Sequence, residues 1–193
     1  NPGDEGGSTE TVVGPKGKFN LNFTDNLSGV KKTTYSYDGS DKQNRYTGKT
    51  LYIGWMKEGN HSISYNSIDN VLNAETAGNY NFFLDKTAPV VGVNVNGDQH
   101  VVGMKTYVSD RTKIELTATD NKAGVEGIYY SFGGDSFNKY ESGFQATKNF
   151  YLFKYGIDKV ENKGLAKSDQ RLYHLDNEGP GISSKYVGPQ FFT

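Results

Sequence analysis

Acidic side chains recur at matching places along the chain, and they are the residues most able to bind a metal ion. Asp25 and Asp120 each follow a Thr, precede an Asn and lie shortly before a Gly-Val pair. An Asp at the end of a strand accepts hydrogen bonds from the amides of the following turn, where Gly29 and Gly124 supply a positive φ. We therefore predict that these four residues are structural turn clamps.

Calcium is the alternative role for the same acids, because it binds about six to eight oxygen ligands that usually include several carboxylates. In each repeat, a set of four side chains could meet at one end of the sandwich. The set in the first repeat is Asp25, Asp69, Asn73 and Glu75, and the set in the second is Asp120, Asp158, Glu161 and Asn162. The carboxylates are sparse for a calcium site. The sequence therefore favours the turn clamp and predicts no cofactor, with calcium kept as the alternative.

Aromatic side chains offer a second kind of binding surface. An exposed aromatic cluster stacks on sugar rings or anchors a partner protein, and the candidate platform is Trp55, Tyr52, Phe150 and Tyr151. The three histidines follow no metal-binding or nucleophile spacing, and no Asp or Glu stands out as an acid or base for glycoside hydrolysis. We predict no catalytic residue and no enzyme activity.

The composition describes the elements that must position these residues. Of 193 residues only 34% are hydrophobic, while 13% are aromatic and 24 are Gly, which indicates thin aromatic cores and many turns. The net charge is -1 and the basic residues are scattered, so nucleic acid is not an expected partner. No apolar run is long enough to span a bilayer. The absence of Cys fits an exported bacterial protein.

The chain contains two copies of one pattern. Four segments of the first copy recur in order in the second: 19–30 as 114–125, 35–37 as 130–132, 68–73 as 157–162 and 84–89 as 175–180. Alternating apolar and polar residues in these segments predict short strands separated by turns, which is typical of a sandwich or barrel. Tyr65 and Tyr155 lie at different distances from the following Asp, which predicts a bulge or register shift in one copy.

The repeat sets the predicted domain bounds. Residues 1–17 are a flexible Gly-rich leader, 18–88 the first domain, 89–180 the second, and 181–193 a tail or the start of a third copy. The second copy has an extra leading strand at 90–95; the first either lacks it or builds it from residues 10–13. The leader composition suits a stretch after a cleaved signal or lipid anchor, and an interdomain linker fits it equally.

The combined motif resembles a known family, the bacterial immunoglobulin-like repeat first named for a leptospiral outer-membrane protein. In the second copy the residues that carry the resemblance are Leu116, Ala118, Asp120, Ala123, Gly124, Val125, Tyr129, Tyr130, Ser131, Gly133, Gly134, Tyr140, Asp158, Asn162, Asp176 and Pro180. The resemblance implies two tandem immunoglobulin-like β-sandwich domains in a surface or secreted protein. Leu72 and Glu161 depart from the pattern, because the family has Gly in that turn.

The resulting functional hypothesis is a non-catalytic, extracellular or outer-membrane-associated bacterial module. It would act as a spacer, adhesion element and contact surface for other envelope or surface proteins, without spanning the membrane. The alternative is a carbohydrate-binding accessory domain of a secreted glycan-active protein, and a third hypothesis is an adhesin stiffened by calcium. An open sheet edge in the first copy and the aromatic segment 186–192 are the predicted places for a partner chain.

Overall fold

The computed structural model describes residues 10–166, 171–185 and 188 of the chain. These residues are all-β, with strands and turns and no helix, which confirms the predicted fold class. Most of the predicted aromatic segment 186–192 lies outside the described residues.

Within those described ranges, no helix is long and apolar enough to cross a membrane.

The first repeat supplies seven strands. They are β1 (Val12–Val13), β2 (Lys18–Phe19), β3 (Val30–Tyr37), β4 (Asn44–Arg45), β5 (Leu51–Tyr52), β6 (Gly59–Asp69) and β7 (Gly78–Leu84). One sheet has the order β1-β7-β6-β3-β4, and the other consists of β2 and β5. The core of this repeat has the buried members Ile53, Met56, Ile63, Phe82 and Leu84. Ile63, Phe82 and Leu84 come from β6 and β7, and Ile53 and Met56 from the segment after β5.

The second repeat supplies nine strands. They are β8 (Val90–Asn96), β9 (Gln99–Val102), β10 (Lys105–Val108), β11 (Lys113–Thr119), β12 (Val125–Phe132), β13 (Asn138–Lys139), β14 (Phe144–Gln145), β15 (Phe150–Asp158) and β16 (Leu172–Leu175). The sheets have the orders β13-β12-β15-β16-β10-β9 and β14-β11-β8. Their buried core consists of Val108, Ile114, Leu116, Ala146, Phe150, Leu152 and Tyr173.

The strand pairing of the two repeats corresponds. β1 lies parallel to β7, with Val13 opposite Leu84, and β10 lies parallel to β16, with Val108 opposite Leu175. β1 is therefore the counterpart of β10. This strand falls inside the range 1–17 assigned to the leader, so the first repeat begins earlier than residue 18.

One layer differs between the repeats. In the second, β8 pairs with β11 along its whole length, from Lys113 opposite Asn96 to Thr119 opposite Val90. In the first, the counterpart of β11 is β2, which forms strand pairs only with β5 among the described residues. Residues 20–24, which follow β2, form no strand pair among the described residues, and the amide of Leu21 donates to Oη of Tyr46 at 3.2 Å. The described part of the first repeat therefore has an uncovered edge where the second repeat has β8.

The predicted register shift in one copy is wrong. Both repeats carry the same irregularity, between Val30 and Lys32 in one and between Val125 and Gly127 in the other. Counted from this bulge, the counterpart of Tyr65 is Lys154 rather than Tyr155. The two strands therefore keep the same register, and the repeats differ only in the residue type at this position, Tyr65 in one and Lys154 in the other.

Candidate functional site

The first Asp of each repeat holds the turn that follows it. Oδ1 of Asp25 accepts hydrogen bonds from the amides two and four residues ahead, at 2.9 and 2.8 Å. Oδ1 of Asp120 accepts the corresponding pair at 3.1 and 2.8 Å. The turns close through Gly29 at φ 78° and Gly124 at φ 80°, values that favour glycine. This geometry is that of a turn clamp.

A second Asp holds the later turn with an Asn as its companion. Oδ1 of Asp69 accepts amide hydrogen bonds at 2.9 and 2.8 Å, and Oδ2 accepts one from Nδ2 of Asn73 at 2.9 Å. In the second repeat, Asp158 accepts the same three bonds at 3.0, 2.7 and 2.7 Å, the last from Nδ2 of Asn162. The repeated spacing of this Asp and Asn therefore has a hydrogen-bonding cause.

The departure from glycine in this turn leaves two residues in the left-handed region. Leu72 has φ 72° and Glu161 has φ 69°. An L-residue there places Cβ close to the backbone and costs about 1–2 kcal/mol. The Asp–Asn hydrogen bonds hold the turn in this conformation.

Three carboxylates meet where the two repeats join. One oxygen from each of Asp85, Asp120 and Asp158 lies within 4.8 Å of the others. Asp85 follows β7 of the first repeat, whereas Asp120 follows β11 and Asp158 ends β15 of the second. The cluster, called the junction triad below, is therefore built from both repeats.

Two acids of the junction triad are buried and the third, Asp120, is half-buried, and hydrogen-bond donors reach only part of the cluster. Asp85 is 0% exposed and Asp158 is 1% exposed. Asp85 accepts hydrogen bonds from the amide of Thr87 at 3.0 Å and, across the junction, from that of Ala123 at 2.9 Å. Oδ2 of Asp120 is buried and has no hydrogen-bond partner among the described residues. A buried oxygen without a donor is rare and calls for a physical explanation.

The negative charges of the junction triad also repel one another. Two unit charges about 4 Å apart repel by ~4 kcal/mol at an effective dielectric constant of ~20. Among the ion pairs of the described residues, none includes a member of the junction triad. The nearby Lys122 pairs with Glu10 and lies 4.4 Å from the ring centroid of Phe83. Three acids, two of them fully buried, thus lie together without an ion-pair partner among the described residues.

The metal sets predicted from the sequence are partly wrong. Of the second set, Asp120, Asp158 and Asn162 lie together, but Glu161 points to solvent with 72% of its side chain exposed and pairs with Lys16 at 3.0 Å. The acid of this cluster that is absent from the predicted set is Asp85. The sequence did mark Asp85 as a repeated residue, because Leu84-Asp85 before Pro89 recurs as Leu175-Asp176 before Pro180.

The first set does not form the predicted acid cluster. Within the described residues, the junction triad is the group of three acids close enough to share an ion, and it includes neither Asp25, Asp69 nor Glu75. Asn73 is occupied with Asp69.

Further contacts join the repeats around the triad. Nδ2 of Asn162 donates to the backbone oxygen of Asp85 at 3.0 Å, and Nδ2 of Asn121 donates to Glu58 at 3.1 Å. Gly14 lies so close to Val160 that a Cβ added at residue 14 would clash with the Val160 carbonyl oxygen. The junction is therefore a packed interface with polar contacts.

The predicted aromatic platform is not one surface. Trp55 is 68% exposed and Tyr52 is 66% exposed, and Nε1 of Trp55 donates to the Tyr52 carbonyl at 2.8 Å. Phe150 is buried in the second core, stacked on Tyr173 with ring centroids 5.0 Å apart, so it is not available to a ligand. Tyr151 is 49% exposed but belongs to the second repeat. Only Trp55 and Tyr52 form an exposed pair.

His61 is the histidine with a carboxylate partner. Its Nδ1 lies 2.9 Å from Oδ2 of Asp38, and Nε2 lies 2.8 Å from the Lys57 carbonyl oxygen. Burial is the largest single influence on the pKa of His61 and lowers it. The hydrogen bonds to Asp38 and Lys57, together with the Asp38 charge, outweigh burial and raise the pKa above its ordinary value.

Comparison with known proteins identifies no family for the chain. No protein-family model matches it, and no curated protein matches it. Among solved structures it is similar to the fibronectin(III)-like modules of Clostridium thermocellum CbhA, with 9% sequence identity and a TM-score of 0.43, over 91% of this chain and 95% of that one. The resemblance to the leptospiral type of repeat stays a prediction.

Proposed function

We propose that the chain is a non-catalytic pair of immunoglobulin-like modules, a spacer and protein-contact element of an extracellular or outer-membrane-associated bacterial protein. The acids that recur between the repeats are engaged in holding turns, which supports a structural role for them. Two separate cores support two modules, because each core cluster draws its residues from one repeat. The packed junction between them suits a spacer with limited bending.

The proposed contact surface is the uncovered edge of the first repeat. This edge is the main observation in support of a protein-contact role. In the second repeat, Ile114 and Leu116 of β11 are 0% and 4% exposed beside β8, whereas their counterparts Phe19 and Leu21 are only partly buried. Phe23, the counterpart of the partly buried Ala118, is 42% exposed. Unpaired backbone groups and exposed apolar side chains at one edge favour the addition of a strand.

The occupant we propose is an extended segment of another envelope or surface protein, with the alternating pattern of β8. In β8 the alternating residues Val91, Val93 and Val95 pack against the core. The same pattern placed along residues 20–24 would pair the backbone and cover Phe23. Main-chain hydrogen bonds would supply affinity, and the alternate side chains would supply specificity.

A peptide with the sequence of residues 89–98 tests this proposal, because it carries the pattern already used in the second repeat. We expect the fluorescence anisotropy of the labelled peptide to rise as the full chain is added. A control peptide with Val91, Val93 and Val95 replaced by Ser should bind at least tenfold more weakly. Equal binding of both peptides, or binding of neither, would refute strand addition at this edge.

Carbohydrate binding is the second candidate, and the exposed pair of Trp55 and Tyr52 favours it. An indole and a phenol at a surface turn provide flat apolar faces on which sugar rings stack. A glycan array probed with the wild-type chain and the Trp55→Ala variant tests this. If neither protein binds any glycan, the second candidate is removed.

A further inference from the structure

The donors around the junction triad are distributed unevenly. The amides at each turn reach Asp120 through Oδ1 alone, while its Oδ2 is buried without a partner. Asp85 and Asp158 are fully buried beside it. The turn-clamp role thus explains one side of the cluster and leaves unexplained why a donorless carboxylate oxygen is buried beside two other acids.

We propose that the junction triad, Asp85, Asp120 and Asp158, binds one Ca²⁺ ion. A divalent cation would neutralise most of the repulsion among the three carboxylates and would give the buried Oδ2 of Asp120 a partner. The amide donors fix the carboxylates in place before the ion arrives. Turn clamp and cation ligand are therefore two uses of the same side chains.

The donor chemistry favours calcium over other cations. The triad offers only carboxylate oxygens, which hard cations prefer, whereas transition metals commonly take imidazole or thiolate ligands. Mg²⁺ dehydrates reluctantly and usually keeps several waters, so a buried cluster of three acids suits it less. Ca²⁺ accepts irregular sets of about six to eight oxygens and takes carboxylates with one or both oxygens.

The site would couple the two repeats. Asp85 closes the first repeat, and the other two acids belong to the second, so an ion bound by all three would link both modules directly. The contacts of Asp85 with Ala123 and Asn162 already hold these segments together. Ca²⁺ would therefore stiffen the junction, independently of whether the uncovered edge binds a partner.

Asp120→Asn is the most informative variant, because the change leaves existing hydrogen bonds in place. The Asn oxygen can still accept from the amides of Lys122 and Gly124, and the Asn nitrogen replaces the oxygen that has no donor. One negative charge is lost from the cluster. Without calcium this variant should melt at the same temperature as the wild type or higher.

Asp25→Asn is the matched control. Asp25 makes the same two amide contacts in the first repeat and lies outside the junction triad. Any effect of weakening a turn clamp would be shared by both variants. An effect on calcium binding should appear only at Asp120 and at its partner across the junction, tested as Asp85→Asn.

The experiment is isothermal titration of the EDTA-stripped full chain with CaCl2, together with melting curves in Ca²⁺, Mg²⁺ and EDTA. We expect one ion per wild-type chain and a melting temperature raised by Ca²⁺ more than by Mg²⁺. Asp25→Asn should bind with unchanged affinity, and Asp120→Asn and Asp85→Asn should bind at least tenfold more weakly. Circular dichroism checks that each variant is folded.

Two results would overturn the proposal. One is a wild-type chain with neither binding heat nor a change in melting temperature up to ~10 mM Ca²⁺, above the ~1 mM of weak extracellular calcium modules. The other is calcium affinity that survives Asp120→Asn in a folded protein. The peptide assay, carried out in EDTA, tests strand addition at the uncovered edge independently of calcium binding.

Discussion

Single aspartates account for much of the motif that the two repeats share. Asp25 and Asp120 close one turn, and Asp69 and Asp158 close another with the help of an Asn. In each case the carboxylate satisfies amides that the turn would otherwise leave without partners. The acids considered as metal ligands thus have a structural role in turns. Metal binding is proposed in addition only for the junction triad.

Leu72→Gly should stabilise the protein. Leu72 has φ 72° and is 68% exposed, so glycine relieves the backbone strain without removing a buried side chain. Part of the gain is lost because glycine adds freedom to the unfolded chain. We expect a net increase of about 0.5–1 kcal/mol in the free energy of unfolding, measured by urea denaturation. Leu72→Ala keeps Cβ and should give no gain; an equal gain from both variants would contradict the strain argument.

His61 should make stability depend on pH. Its folded pKa is raised above its unfolded value, so its stabilising contribution is fully present below ~6.5 and is lost as pH rises through the folded pKa. His61→Gln should therefore cost more stability at pH 5.5 than at pH 8.5. Denaturation at both pH values measures this, and Asp38→Asn should reduce the pH dependence. A cost that is the same at both pH values would show that the imidazole charge has no part in it.

At the scale of single residues, sequence reasoning found the turn clamps but missed the third acid. The spacing of Asp120 and Gly124 reports a local turn, and local geometry is readable from sequence. Asp85 meets Asp120 and Asp158 because the chain passes from one repeat into the next. Phe150 was misplaced for a related reason, since its burial depends on Tyr173, which lies in a later strand.

Among the strands, periodicity predicted the alternating segments of both repeats. It left a strand at residues 10–13 only as an alternative, because β1 is two residues long and is held by a parallel strand from the far end of its repeat. It did not predict that both copies carry the same bulge. The expected register difference arose from aligning Tyr65 with Tyr155, whereas pairing with the neighbouring strand determines which residue faces the core.

The difference that matters most between the repeats is also one of strands. β8 covers β11 in the second repeat, and residues 20–24 lack such a cover among the described residues of the first. The extra strand was visible in the sequence as the alternating valines at 91, 93 and 95. Which neighbour it pairs with became clear only from the sheet order.

Over the whole molecule, two sets of sheets lie on either side of a short connection. The described strands of each sheet come from one repeat, and the contacts between repeats are concentrated at the junction triad and its surroundings. In such an arrangement, the freedom of the modules to bend at the junction determines the end-to-end length of the molecule. Any ligand at the junction would act on the shape of the molecule.

Amide hydrogen exchange of the full chain tests the central claim most directly, because both repeats are measured at once. Backbone amides that are paired in a sheet exchange slowly, and unpaired edge amides exchange quickly. We predict strong protection at the amides of residues 114–119 that are directed toward β8. In the free chain we predict little protection at residues 20–24 other than Leu21, whose amide donates to Oη of Tyr46. On binding of the peptide of residues 89–98, protection should rise at 20–24 alone. Residues 20–24 already as protected as 114–119 in the free chain would contradict the account.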